Sequence, residues 1–482
     1  MLRILGSARR LCDGWTRREM LRAGGLSLFG LPWSSLLHFH ETQAAAPPVN
    51  RPSNFGKAKA CILLYLYGAP SQLETFDLKP DAPTDVRSQF KPIATSVPGL
   101  HICEHLPLTA RLMHHTTLVR SMSHPYNIHS AAYTLTGVPK TDIPMELNPR
   151  DGRHWPFFGS VLDYLRPRDA KRPNIPCNVA LPWRFSTRSE PFRRGGPYGG
   201  FLGTGYDPVW AEFHGDAPKT DPYLGITRQG QFQFGLPGPT VDLDRLTRRR
   251  SLLQQLEDRR PELEDAAQRG YDRHQNQVFN LLASPRFRRA LDLSAEPVAL
   301  RERYGLTLFG QGTLAARRLI EHGVQLVTVI WDEYKEANSA WDTHVRQHTR
   351  LKDELLPGFD RAYSALLTDL HDRGLLDETL VLCMSEHGRT PKLNTQPGGG
   401  REHWSQSYCG LFAGGGIRKG AVHGASDRIA AFPKEHPVSP KDVLCTIYHL
   451  LGVDPHHTHL RDREGRPLPL VPEGEVLNGL LA

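Results

Sequence analysis

The stretch Val381-Leu382-Cys383-Met384-Ser385-Glu386-His387-Gly388-Arg389-Thr390-Pro391 constrains the fold more than any other. A short apolar run ends abruptly in an acid, an imidazole and a glycine. A strand buried on both faces reads as such a run, and open parallel sheets collect ligands beyond the carboxyl ends of their strands. Two other runs behave alike. Cys61 to Tyr67 empties into Gly68-Ala69-Pro70-Ser71-Gln72-Leu73-Glu74, and Val324 to Trp331 is followed, after a polar insert, by Trp341-Asp342-Thr343-His344. Arg401-Glu402-His403-Trp404 stands just before a further strand-like run, Ser407 to Ala413. The pattern predicts that these four groups meet at one edge of one sheet.

The remaining chain alternates in the same way. Strands are predicted at Thr116 to Met122 and Cys177 to Leu181. Helices are predicted at Leu106 to His114, Trp155 to Leu165, Leu243 to Arg259, Tyr271 to Leu282, Gly310 to His322, Leu351 to Asp372 (bent near Pro357-Gly358) and Asp442 to Leu451. Strand and helix in alternation imply an α/β fold, a parallel sheet with helices on both faces. Residues 182–242, rich in Gly, Pro, Arg and aromatics, read as an irregular insert, and loops of that length are often functional lids.

Hydrophobic residues make up 39 % of the 482 and charged residues 23 %, enough apolar material for a folded core. The N-terminus reads as a twin-arginine-type signal over residues 1–46. Arg17-Arg18 precedes the apolar stretch Ala23 to Leu31, and Ala44-Ala45-Ala46 offers a cleavage region. The expected mature chain, 47–482, is a single domain, exported to the periplasm or secreted. The signal holds six Lys/Arg and three Asp/Glu, so its removal lowers the formal net charge from +8 to +5. No later apolar run is long enough to span a bilayer. A modest positive charge favours anionic substrates or surfaces. The basic run Arg245 to Arg250 comes with no nucleic-acid-binding signature, so no nucleic-acid partner is expected. The seven cysteines include no C-x-x-C pair, and Cys61, Cys383 and Cys445 read as small core residues.

Three acid/imidazole pairs carry the chemistry: Glu386 with His387, Asp342 with His344, and Glu402 with His403. Mixed imidazole and carboxylate ligands suit zinc, and carboxylate-rich sets suit calcium, magnesium or manganese. A divalent ion at such a site polarises an ester. Arg389, Arg401 and His129 are candidates to hold an anion, and the plain alternative for each is a salt bridge. His129 lies in a segment, His124 to Gly137, that reads either as an anion-binding helix start or as an ordinary capped helix, with Asn127 or Ser130 as cap. His456-His457-Thr458-His459 lies in a late loop and reads as solvated. No G-x-S-x-G elbow and no H-E-x-x-H helix occurs, which disfavours a serine-triad hydrolase and a zincin protease.

The order of these pieces resembles the alkaline-phosphatase-like superfamily of sulfatases, phosphodiesterases and phosphomutases. More closely, it is similar to a bacterial family of exported proteins, the domain-of-unknown-function family DUF1501. The stretches that carry the resemblance are Gly68 to Pro80, Phe90 to Thr95, His129 to Tyr133 with Leu135-Thr136-Gly137, Trp341 to His344, Glu386 to Pro391, Ala413 to Ile417, and Val438 to Asp442. The resemblance implies a three-layer sandwich around a mostly parallel sheet. It also implies a divalent metal held by Asp342, His344, Glu386, His387 and His403, and an anionic sulfate or phosphate ester, or an anionic polysaccharide, as substrate.

Departures accompany the likeness. Glu386 stands where the superfamily has Asp in its Asp-His-Gly motif. Asp342-Thr343-His344 is shorter than the superfamily spacing. The acid directly after the first strand is replaced by Tyr67-Gly68, with Glu74 or Asp77 as substitutes. The superfamily nucleophile position falls on Asn127, which forms no covalent phospho- or sulfo-enzyme. Direct attack by water, a substitute in Ser130 or Ser123, or no turnover are the alternatives. The implied activity is a metal-dependent hydrolase, with a non-catalytic binding protein on the same scaffold as the second reading.

Overall fold

Seven consecutive buried residues, Ala60–Leu66, form β1 at the middle of a nine-stranded sheet in the computed structural model, which describes residues 54–129, 131–138, 151–166, 175–189, 194–234 and 285–482. The other strands are β2 (Thr116–Met122), β3 (Asn178–Leu181), β4 (Val209–His214), β5 (Gln231–Phe234), β6 (Leu326–Trp331), β7 (Thr379–Met384), β8 (Tyr408–Ala413) and β9 (Ala421–His423). Across the sheet the order is β9-β2-β8-β7-β1-β6-β3-β4-β5. The run β7-β1-β6-β3-β4 is parallel throughout. Every residue of β1, β6 and β7 is buried. Because side chains alternate between faces, both faces of the centre are covered, as the unbroken apolar runs require.

Direction decides where the site forms. β8 runs antiparallel to both β7 and β2, so β2 points the same way as β7. The carboxyl ends of β1, β2, β6 and β7 therefore share one edge of the sheet, and β8 begins at that edge.

Helix α1 (Leu308–Glu321) packs on β6 and β1, and α2 (Leu356–Asp372) packs on α1. Thr307 caps α1 by accepting from the Gly310 N–H, and Gly323 (φ +95°) follows its end. α3 (Pro440–Leu450) begins in a capping box of Ser439 and Asp442. The bend expected at Pro357-Gly358 takes the form of a π-helical turn over Leu351–Leu355, just before α2. Proline brings no N–H to the ladder, and one wider turn absorbs the mismatch.

The described residues of the expected insert, 182–189 and 194–234, are more regular than their composition implies, since they contribute β4 and β5 to the sheet edge. Gln231-Phe232-Gln233-Phe234 alternates cleanly, with Phe232 buried and both glutamines exposed, but the surrounding Gly and Pro mask so short a period. The predicted helices at 243–259 and 271–282, the signal segment 1–46 and Ser130 lie outside the described residues. All six described cysteines are free thiols. No helix among the described residues is long and apolar enough to cross a membrane.

Candidate metal centre

The shared edge collects the expected groups. Beyond β7, Glu386 and His387 are fully buried. The Gly68 N–H, just past β1, donates to Glu386 Oε1 at 2.7 Å. Only glycine fits there: φ is +94°, and a Cβ would lie 2.4 Å from the Asp342 nitrogen. That close approach brings the loop after β6 against β1, where the Trp341 N–H bonds to the Tyr67 carbonyl at 2.9 Å. Trp341 is also seated edge-on against Trp331 of β6, with ring centroids 5.4 Å apart, so the aromatic core sets the position of Asp342. His403 arrives through the antiparallel pairing of His403–Trp404 with Gly388–Arg389.

Glu386 and Glu402 find partners other than their sequence neighbours, while Asp342 keeps His344 and adds His129. His129 Nδ1 donates to Glu386 Oε1 at 3.1 Å, and its Nε2 lies 3.3 Å from Asp342 Oδ2. His344 Nε2 is 2.9 Å from Asp342 Oδ1, and its Nδ1 faces Glu402. His403 Nε2 stands 3.0 Å from His344 Nε2 and 3.5 Å from Asp342 Oδ1. His387 Nδ1 donates to the Gly388 carbonyl at 2.8 Å, which leaves Nε2 as its lone-pair nitrogen.

Two groups of ligand atoms result, each within 4.8 Å: His129, Asp342, His344 and His403, and His129, Glu386 and His387. Glu386 Oε2 and His387 Nε2 are buried without a hydrogen-bond partner, and His129 Nε2 has only the Asp342 carboxylate at 3.3 Å. Buried polar atoms are seldom left so. Imidazoles and carboxylates are the donors that zinc and similar divalent ions bind, so the residues present fit such an ion.

Electrostatics sort the histidines. Burial, with Arg389, His129 and His403 adding to it, holds His387 well below the usual range and hence neutral. Burial likewise lowers His403. Burial opposes the charge on His129, but the Asp342 and Glu386 carboxylates outweigh it and lift the pKa to about 9. The hydrogen bond to Asp342 raises His344. Asp342 is held well below the carboxylate range, with Arg389 foremost among the groups that overcome its burial.

The remaining expected residues stand elsewhere or do other work. Glu74 is in neither ligand group. It is fully buried and held by Arg401, whose Nε and Nη2 lie 3.0 and 2.7 Å from its carboxylate oxygens. Asp77 pairs with Lys79 at 3.0 Å and accepts from Ser426. Arg389 spends its guanidinium on Asp342 and on the carbonyls of Gly68, Ala69 and Arg401. Arg389 and Arg401 therefore brace the site rather than face a ligand, nearer the salt-bridge alternative but fully buried. Asn127 donates to the His403 carbonyl at 2.9 Å and accepts from the Ser405 N–H at 3.0 Å, pinning the His403 segment. His456, His457 and His459 are exposed.

Sequence reasoning missed three residues. His124 Nε2 donates to the Glu386 carbonyl at 2.6 Å. Gln72 holds Arg389 through both its N–H and its carbonyl, at 3.0 and 2.8 Å. Tyr67 packs on His129, with ring centroids 5.5 Å apart. Tyr67 stands where an acid was sought, and that was the one signal available. Burial pushes its phenol well above the usual range, so it is neutral.

Comparison with solved structures finds distant likenesses. Ps i-CgsB in complex with k-i-k-neocarrahexaose shares 12 % identity at a TM-score of 0.39, covering 86 % of this chain and 76 % of that one. The alkaline phosphatase of the Antarctic bacterium TAB5 shares 15 % at 0.33, covering 75 % and 92 %. The lipoteichoic acid synthase LtaP from Listeria monocytogenes shares 11 % at 0.34, covering 86 % and 77 %. The comparison with curated proteins gives no match. A family model matches residues 58–481, nearly the whole chain, and the chain therefore belongs to the family described as protein of unknown function (DUF1501).

Proposed function

We propose that the chain is a metal-dependent hydrolase of sulfate or phosphate esters. The observation that carries this reading is the pair of buried ligand atoms with no hydrogen-bond partner, Glu386 Oε2 and His387 Nε2, within the two ligand groups gathered at the edge where four strands end. Glu386, His387 and His129 would hold one ion, and Asp342, His344 and His403 would complete the set. Zinc, calcium, magnesium or manganese, when bound, supplies Lewis-acid polarisation of the ester.

The chain's own residues do the positioning. The Gly388 carbonyl fixes the His387 tautomer, the Gly68 N–H and His129 orient Glu386, and Arg389 holds Asp342 ionised. Glu386 and His387 are fully buried, so the inner side of the site is closed to bulk water. Export through the twin-arginine sequence at Arg17-Arg18 is part of the same reading, because that route carries folded, cofactor-loaded chains.

Asn127 favours a second reading, a non-catalytic protein that binds an anionic polysaccharide. Its amide stands at the nucleophile position and is committed to the backbone of His403 and Ser405. Elemental analysis of the purified protein, with His387→Ala and His403→Ala, tests the metal centre. Stoichiometric divalent metal that both variants lose, with hydrolysis of 4-nitrophenyl sulfate or phosphate lost alongside, is the expected result. Metal content unchanged in both variants would sink the reading. Metal without turnover on either ester selects the binding protein.

A further inference from the structure

A tetrahedral anion beside the metal centre needs donors, and the arginines nearest to it are already engaged. Arg389 is spent on Asp342 and four carbonyls, and Arg401 on Glu74 and the carbonyls of Val86, Thr390 and Pro391. The buried hydroxyls of Ser405, Ser407, Tyr408 and Tyr67 at the same edge lack a hydrogen-bond partner, and of these Tyr67 packs against a candidate ligand histidine. Tyr67 follows directly on β1 and is fully buried, yet its hydroxyl has no hydrogen-bond partner. Two residues earlier, Tyr65 is equally buried, but its hydroxyl pairs with Thr134 Oγ1 at 2.8 Å. The Tyr67 ring is also placed by the site itself. It packs on His129 at 5.5 Å and edge-on against Phe185 at 5.0 Å, and the Arg194 guanidinium lies 5.7 Å from its centroid. Arg194 in turn stands 3.8 Å from Glu333. The Tyr67 ring thus touches both the histidine common to the two ligand groups and a guanidinium. Phenylalanine would fill the same space with no orphaned oxygen, so packing does not explain the hydroxyl.

We propose that Tyr67 is a substrate-binding residue whose phenolic O–H donates to an oxygen of a sulfate or phosphate group seated beside His129, with Arg194 supplying the neighbouring positive charge. The proposal rests on the anionic-ester reading above and assigns the anion contact that Arg389 and Arg401 do not make. A neutral donor beside one cation suits a group that must bind and leave.

The test uses the full chain and its Tyr67→Phe and Arg194→Gln variants. Inorganic sulfate and inorganic phosphate are titrated separately by calorimetry, with metal content and thermal midpoint measured in parallel. Loss of a hydrogen bond to a charged group predicts at least a roughly tenfold weakening, in each variant, of whichever anion the parent binds. Metal content should stay at the parent level, and the metal-free thermal midpoint of Tyr67→Phe should equal or exceed the parent's. A tyrosine with a purely structural role would instead lower that midpoint, and this result overturns the proposal. Unchanged anion affinity in Tyr67→Phe also overturns it, while the metal centre stands. Loss of metal in Tyr67→Phe makes the residue part of the ligand set and overturns it as well. A parent chain without metal ends the hydrolase reading, and the anion titration then decides the Tyr67 assignment by itself. A parent that binds neither anion overturns both.

Discussion

Glu74 and Glu386 are both fully buried glutamates at the sheet edge, and their neighbours give them opposite tasks. Arg401 meets both oxygens of Glu74, and His348 lies 3.4 Å away. Burial opposes its charge, but Arg401 and His348 outweigh burial and bring the pKa down to about 2. A carboxyl depressed in the folded state contributes stability that is fully present above its unfolded value near 4.5 and lost as pH falls through about 2. The difference corresponds to about 3 kcal/mol, most of it gone by about pH 2. Glu74→Gln should therefore lower stability by about 3 kcal/mol at neutral pH, because it leaves Arg401 buried without its counter-charge. It should also flatten the acid limb of the stability curve. Urea denaturation of both proteins at several pH values between neutrality and pH 3 checks this, and parallel acid limbs would refute it. Glu386, by contrast, keeps one oxygen without any partner, as a ligand-holding carboxylate does.

At the scale of elements, the site depends on how closely strand ends and loops approach. Gly68 lets the turn after β1 lie against the backbone of Trp341 and Asp342, where a Cβ would come within 2.4 Å of a backbone nitrogen. Gly68→Ala meets backbone that cannot swing away and a φ of +94° besides, so it should cost about 3 kcal/mol or more and displace Asp342. A thermal melt together with a metal titration tests this. A variant with the parent's midpoint and metal content would show that the turn is not a constraint. Asn127 acts in the same way on the other side, tying the loop after β2 to the segment before β8.

For the whole molecule, a metal held at this site would link binding to folding. The ligands come from segments as distant in sequence as His129 and His403, so the set exists only in the folded chain. An ion that binds only the folded state stabilises it by RT ln(1 + [L]/Kd), about 2.7 kcal/mol at a hundredfold excess over Kd. Thermal scans with and without a chelator should show the midpoint falling on metal removal and returning on re-addition of the divalent ion. His387→Ala should be insensitive to both treatments. A parent midpoint that ignores the chelator would argue against a metal centre.

The sequence by itself determined the central strands and the neighbourhood of the site. Thr379–Met384 stands where the apolar run predicted, because a strand buried on both faces reads as consecutive apolar residues, here Leu380 to Met384, and Thr116–Met122 stands where it was expected around Leu118-Val119. His129, Asp342, His344, Glu386, His387 and His403 meet because each follows or precedes a strand that ends at one edge. What only the tertiary structure decided is partnership. Glu74 stood at the right distance from β1 to be a ligand, yet Arg401, 327 residues away, takes it. Glu402 faces His344 rather than its neighbour His403, and Asn127 bonds backbone rather than capping a helix. β4 and β5 hid in a Gly- and Pro-rich stretch because edge strands of four to six residues carry too little periodicity to show. Local pattern specifies which face of an element is buried. Pairing between charged side chains depends on distances of a few ångströms across the fold, and these are set by packing contacts that no short window of sequence contains.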